Sequence, residues 1–192
     1  MRIIVGITGA SGVILGYRLL LTFKNLGDIE THLVISEAAE ENFKLETNIG
    51  LEEVISSANF YYQNNDMAAL ISSGSFLTEG MVIVPCSMKT LSAVSTGYTD
   101  TLIARAADVC LKENRRVVLV PREMPLGKIH LKNLLSASDL GCIVIPPMLT
   151  FYSSQQNIDD QINHINGKIL MQFGLDCPQF VSWQGGKNKE VV

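Results

Sequence analysis

The chain has 192 residues, 47% of them hydrophobic, and a formal net charge of −4. That length suits one α/β domain with a substantial core, and an acidic balance with dispersed Lys and Arg excludes the basic footprint of a nucleic-acid or acidic-membrane binder. Four cysteines, Cys86, Cys110, Cys142 and Cys177, stand far apart with no C-x-x-C pair, so neither a zinc knuckle nor a disulfide framework is signalled.

No apolar run approaches membrane-spanning length and no signal-peptide core opens the chain, so the expectation is a soluble, cytoplasmic protein. No Pro/Gly/Ser-rich linker divides the sequence. Residues 1–192 are therefore read as one domain with a C-terminal tail from about 175 to 192. The apolar content also predicts burial between subunits, that is, a homo-oligomer.

In chain order, Ile3-Ile4-Val5-Gly6-Ile7 is a β-branched run with no polar interruption, the pattern of a strand covered on both faces. Thr8-Gly9-Ala10-Ser11-Gly12 then turns the chain into a helix lined by Val13, Leu15, Leu19, Leu20 and Phe23. The turn has two readings. It places backbone N–H groups and a helix N-terminus where they suit an anion, or its glycines only permit a tight turn and close packing. Its spacing is not G-x-G-x-x-G, and the second strand, 31–35, ends in Ser36 where a dinucleotide fold carries an acid. Ser36 is also a natural N-cap for a helix over 37–46. A short helix over 51–58, a short strand over 60–62 and a turn at Asn64-Asn65-Asp66 follow. The small-residue loop Ser72-Ser73-Gly74-Ser75 is as available to a neighbouring subunit's site as to its own.

Met81-Val82-Ile83-Val84 reads as a central strand stopped by Pro85, which has no N–H for the ladder. The next residues, Cys86-Ser87-Met88-Lys89-Thr90, offer hydroxyls, an ammonium and free amides. A short helix from 91 ends at Gly97, and Thr99-Asp100 are positioned to cap a longer helix over 101–114. On that helix Arg105, Asp108 and Lys112 share a face, which by itself is the pattern of a solvated ion-pair surface. A strand over 116–120 ends in Pro121-Arg122-Glu123, a helix spans 129–140, a strand 141–145 runs into Pro146-Pro147, and a last helix spans 158–173.

Strand and helix thus alternate, which predicts a three-layer, Rossmann-like α/β sandwich around a mainly parallel sheet. Five polar clusters, at 8–12, 36, 85–90, 121–123 and 146–152, each follow a strand. They converge on the carboxyl edge, where such sheets bind ligands. Their hydroxyls, amides and cations suit a phosphorylated ring. A metal is not expected: His32, His130 and His164 are isolated, and Asp159-Asp160 read as dipole partners in a first helical turn. Cys86 has no His nearby in sequence to activate it, which favours packing over nucleophilic catalysis.

Gly9-Ala10-Ser11-Gly12, Pro85-Cys86-Ser87-Met88-Lys89-Thr90, Arg105-Ala106-Ala107-Asp108, Leu111-Lys112-Glu113, Val120-Pro121-Arg122-Glu123, Ile129-His130-Leu131 and Phe151-Tyr152 together resemble the flavin prenyltransferases of the UbiX/Pad1 family. The likeness runs from Met1 to about Gly174. It is nearest to the small B subunits of bacterial phenolic-acid or hydroxyarylate decarboxylases, which share the terminal Ser182-Trp183-Gln184-Gly185. The resemblance implies a flavoprotein fold and a homo-oligomer, commonly a dodecamer. It implies a metal-independent enzyme that joins a dimethylallyl group from dimethylallyl phosphate to reduced FMN, for delivery to a UbiD-type decarboxylase.

Carried over by position, flavin contacts fall on Gly9, Ala10, Ser11, Ser36, Ser87, Met88, Lys89, Thr90 and Arg122. Prenyl-phosphate contacts fall on Tyr152 and Lys168, with Arg105 and Lys112 as further cations. Glu46, Glu123 and Arg122 match catalytic positions, and Trp183 the aromatic wall. Met88-Lys89 is bulkier than the Ser-Thr-Gly type of run in other members. Two further readings stay open: an FMN-carrying accessory subunit without turnover, and a cysteine-decarboxylase-like flavoprotein, whose matching stretch has Asn where this chain has Lys89.

Overall fold

Apolar residues on both sides of each strand decide the architecture. In the computed structural model, which describes residues 1–152 and 157–183, Ile3, Val5 and Ile7 of β1 (Arg2–Ile7) point into one core and Ile4 into another. A strand buried on both faces belongs inside a parallel sheet. The sheet has six parallel strands in the order β3-β2-β1-β4-β5-β6. The other strands are β2 (Glu30–Ile35), β3 (Phe60–Gln63), β4 (Gly80–Cys86), β5 (Arg116–Pro121) and β6 (Ile143–Val144).

Helices α1 (Val13–Leu26) and α7 (Ile158–Gln172) cover one face together with Phe43 of α2 (Glu37–Glu46) and Val54 of α3 (Leu51–Ser56). The opposite face carries α4 (Met88–Thr96) and α5 (Leu102–Lys112), with α6 (Lys128–Asp139) packed beside α4. Leu19, Leu20 and Phe23 on α1 are fully buried, each removal from water stabilising the fold by about 1.5–3 kcal/mol. The helix can lie this close because Gly16 has no side chain. A Cβ there would stand 2.5 Å from the Val84 carbonyl oxygen and 2.8 Å from the Ile7 side chain.

Three expected boundaries move. β4 does not stop before Pro85: it continues to Cys86, and a register shift between Ile83 and Cys86 accommodates the missing N–H. The Pro85 carbonyl is then used across the sheet, accepting from the Thr8 N–H (3.2 Å) and the Thr8 hydroxyl (2.8 Å). α4 begins at Met88, earlier than 91, because Ser87 caps it. The strand expected over 141–145 shortens to Ile143–Val144 at the sheet edge, with a single 3-10 turn, Leu70–Ser72, added before β4. Among the described residues no helix is long and apolar enough to cross a membrane.

Candidate functional site

The strand order reverses between β1 and β4, and the loops leaving those two strands are tied by the Ser87 N–H donating to the Thr8 hydroxyl at 2.8 Å. A crevice at such a reversal is the expected ligand position in this architecture. A cavity of about 770 Å³ opens there, within the usual range for small-molecule sites. Gly9, Ser36, Ser87, Met88, Lys89, Thr90 and Glu123 line it, seven of the positions singled out from the sequence.

Three helices begin at this cavity, and each is capped by a hydroxyl that also lines it. Ser36 accepts from Ala39 N–H at 3.2 Å, Ser87 from Thr90 N–H at 3.2 Å and Thr101 from Ala104 N–H at 3.4 Å. The capping reading of Ser36 therefore holds, and Ser87 proves to be a cap as well, without removing either residue from the site. The helix ends contribute positive potential and unpaired N–H groups, and Lys89 adds a cation with no ion pair among the described residues. Ile35, Met88 and Ile103 supply apolar surface, and Tyr61 an aromatic one. That donor set fits FMN, which has an anionic phosphate, a polar ring edge and an apolar ring face.

Gly9 has a packing reason of its own and also lines the cavity. A Cβ on it would collide with the Cβ of Ala38, so packing alone requires glycine, and the same bare backbone forms cavity wall. Ala10 is buried and Ser11 partly buried in the adjoining turn. There the Gly12 N–H, in a left-handed backbone with φ 98°, donates to Glu46 Oε2 at 2.7 Å. Glu46 thus ends α2 against the glycine turn, outside the cavity lining. Arg122 is exposed beside Glu123, and its N–H donates to the Cys86 carbonyl at 3.2 Å. Cys86 itself is fully buried, and burial, with Cys142 nearby, pushes its thiol far above the ordinary range. A thiol so held is packing, since the thiolate is the reactive form.

The remaining positions form two separate groups. Arg105 and Lys112 line a second cavity, of about 460 Å³, with Ser72, Ser73, Gly74, Ser75 and Glu113. Arg105 donates from Nε to the Ser72 carbonyl (3.2 Å) and pairs with Asp108 (3.0 Å). Thr101 and Ala104, at the start of the same helix, line the first cavity. α5 runs from the carboxyl edge back toward the start of β5, so Lys112 lies about 15 Å along the helix from Leu102. One chain does not bring these cations to the first cavity.

The third group is aromatic. Tyr152 packs edge-to-face on Trp183 (5.4 Å) and on His164 (5.8 Å). Lys168 Nζ lies 5.3 Å over the Phe180 ring. Gly167 makes this possible, because a Cβ there would enter the Phe180 ring. The loop bearing Tyr152 is held to α7 by Gln161, which accepts from Thr150 N–H (2.9 Å) and donates to its carbonyl (2.8 Å). Gln184 and Gly185 of the terminal motif lie outside the described residues.

Sequence reasoning missed Gln63, Asn64, Asn65 and Thr101 as cavity residues. Asn64 was legible only as part of a turn, yet its carbonyl accepts from Leu102 N–H at 2.8 Å and its Oδ1 from Ile103 N–H at 3.2 Å, which fixes the start of α5. The helix is capped by Thr101, one residue beyond the expected Thr99-Asp100.

A flavin-sized crevice with anion-directed helix ends defines a class of protein, and the comparisons agree. The Flavoprotein family model matches residues 1–170, so the chain belongs to the flavoprotein family. Within it, its relatives are UbiX-like flavin prenyltransferases. A probable UbiX-like flavin prenyltransferase of Sedimentibacter hydroxybenzoicus is 60% identical over 188 residues, 98% of this chain and 100% of the relative. A dodecameric FMN-dependent UbiX-like decarboxylase from Escherichia coli O157:H7 superposes with a TM-score of 0.95 at 49% identity, covering 96% of this chain and 100% of that one. AnUbiX (PadA1), solved in complex with FMN and dimethylallyl pyrophosphate, superposes with a TM-score of 0.94 at 47% identity over 96% of this chain and 97% of its own.

Proposed function

We propose that this chain joins a dimethylallyl group, taken from dimethylallyl phosphate, to reduced FMN, and that the prenylated flavin passes to a UbiD-type aromatic acid decarboxylase. The observation that carries the reading is the switch-point cavity with its three capped helix ends, in a fold shared with a relative that binds FMN and a prenyl diphosphate.

Ser36, Ser87, Thr90 and Lys89 hold the flavin with the helix N-termini, while Gly9, Ala10 and Ser11 give its approach a low backbone wall. Arg122 adds charge at the rim. Reduced FMN supplies the electron-rich ring that accepts the prenyl group. As the allylic C–O bond breaks, phosphate leaves with the electron pair, and preorganised Tyr152 and Lys168 stabilise that charge. Trp183 offers a π face to the allylic carbon and excludes water. Glu123, in the cavity lining, takes the proton released on ring closure, with Glu46, held by the Gly12 N–H outside that lining, as the second carboxylate of the acid/base pair. Arg105 and Lys112, remote from the cavity of their own chain, complete the phosphate site of a neighbouring copy in a homo-oligomer. The cysteine-decarboxylase-like reading has no such support, since the relatives at 47–60% identity are prenyltransferases or UbiX-like proteins.

Anaerobic incubation of the chain with reduced FMN and dimethylallyl phosphate tests this. The flavin is expected to gain the mass of one prenyl group, and the product to activate an apo UbiD-type decarboxylase that FMN alone does not. Unchanged flavin, with activation by FMN alone, would leave the accessory-subunit reading in its place.

A further inference from the structure

His164 lies at the centre of the Tyr152 group, and the reading above gives it no role. It is 6% exposed, in the middle of α7. Its ring is edge-on to Tyr152 and tilted against Phe180 at 5.0 Å. Nε2 stands 3.4 Å from the Tyr152 hydroxyl, and Nδ1 is buried with no hydrogen-bond partner among the described residues.

These contacts select one tautomer. Burial, and secondarily the Lys168 ammonium, holds the imidazole below its usual value, so the ring is neutral and carries a single N–H. A hydrogen on Nδ1 would be a buried donor without an acceptor among the described residues, a state folded proteins rarely keep. It would also leave Nε2 as a bare lone pair that draws in the tyrosine hydrogen, so that the phenol would face an anion with lone pairs only. With the hydrogen on Nε2, the tyrosine oxygen accepts, and its own hydrogen is free for another acceptor. Donation to a hydroxyl also polarises it toward its onward bond.

We propose that His164 is a positioning residue for the prenyl-phosphate site: its Nε2–H donates to the Tyr152 oxygen and so turns the phenolic hydrogen toward the leaving phosphate. Phe180, seated over Gly167, holds the imidazole in that orientation. The inference rests on the reading of Tyr152 as a phosphate ligand, and the experiment separates the two.

His164→Phe, Tyr152→Phe and the double variant are compared for turnover of dimethylallyl phosphate with reduced FMN, and FMN binding is followed by fluorescence quenching. His164→Phe keeps a ring against Phe180 and removes both nitrogens. It is expected to lower kcat/KM for dimethylallyl phosphate about five- to tenfold, with FMN affinity unchanged. His164→Gln restores an N–H donor and most of the lost activity. In the Tyr152→Phe background, His164→Phe has no further effect, because no hydroxyl remains to be oriented. Losses that add in the double variant, or FMN affinity that falls in step with turnover, overturn the inference. Tyr152→Phe with unaltered kinetics instead overturns the reading of Tyr152. Should His164→Phe not yield folded protein, His164→Leu runs the same cycle.

Discussion

A lysine on an amphipathic helix is ordinarily a solvated residue, and the residues around Lys168 give no reason to treat it otherwise. Its placement supplies one: it is half-buried, with Nζ over Phe180 and one helical turn from His164. Charge held in that aromatic group is preorganised for an anion. Lys168→Ala is therefore expected to cut prenyl-phosphate turnover at least tenfold, on the order of one tenfold factor per ~1.4 kcal/mol of lost charge stabilisation, while FMN retention is unchanged, because Lys168 does not line the flavin cavity. Parallel loss of FMN and turnover would contradict the separation of the two groups. Cys86 was legible in the opposite sense: with no His nearby in sequence to activate it, it reads as packing, and full burial agrees.

At the scale of elements, apolar runs located β1, β2, β4 and β5, because strands buried on both faces leave an unbroken apolar signature, while the edge strands β3 and β6 are only partly buried and gave weaker ones. Boundaries were less legible. Proline stopped β4 on paper because the bulge that accommodates it depends on β5, a partner far along the chain. The same holds for the wall built by Gln63, Asn64 and Asn65, which meets the start of α5 through the Ile103 N–H donating to Asn64 Oδ1, 39 residues away in sequence. The β2–β3 edge carries a pH-sensitive element of this kind. His32, 2% exposed, is stacked on Phe60 and Tyr62, with its ring nitrogens at 2.9 Å from Glu30 and 3.0 Å from the Tyr62 hydroxyl. Burial lowers its pKa and Glu30 only partly offsets that. Below the unfolded imidazole value of about 6.5, the unfolded chain binds the proton first. Stability is thus complete above that pH and is lost as pH falls through the depressed folded value. The thermal midpoint should fall between pH 7 and 5 with a slope that shrinks in His32→Phe. An unchanged slope would assign the acid sensitivity elsewhere.

For the whole molecule, periodicity placed Arg105, Asp108 and Lys112 on one face of α5, and they share one, but no spacing in a sequence says which side of a helix faces a ligand. The fold answers that these cations line a second cavity and not the flavin cavity of their own chain. The proposed site is consequently one that a single copy cannot close, and α6 leaves the apolar residues Ile129, Leu131 and Leu135 exposed on a single copy. Two lesions separate shared from self-contained sites: Glu123→Gln in the flavin cavity, and Arg105→Gln with Lys112→Gln in the second. Each variant alone is expected to leave the flavin unprenylated. Co-expressed under two affinity tags and purified as a mixed assembly, they should recover about a quarter of wild-type prenylated flavin, the chance that an intact cavity meets intact cations across an interface. No recovery in the mixed assembly would show that every copy uses its own cations, and would contradict the shared site.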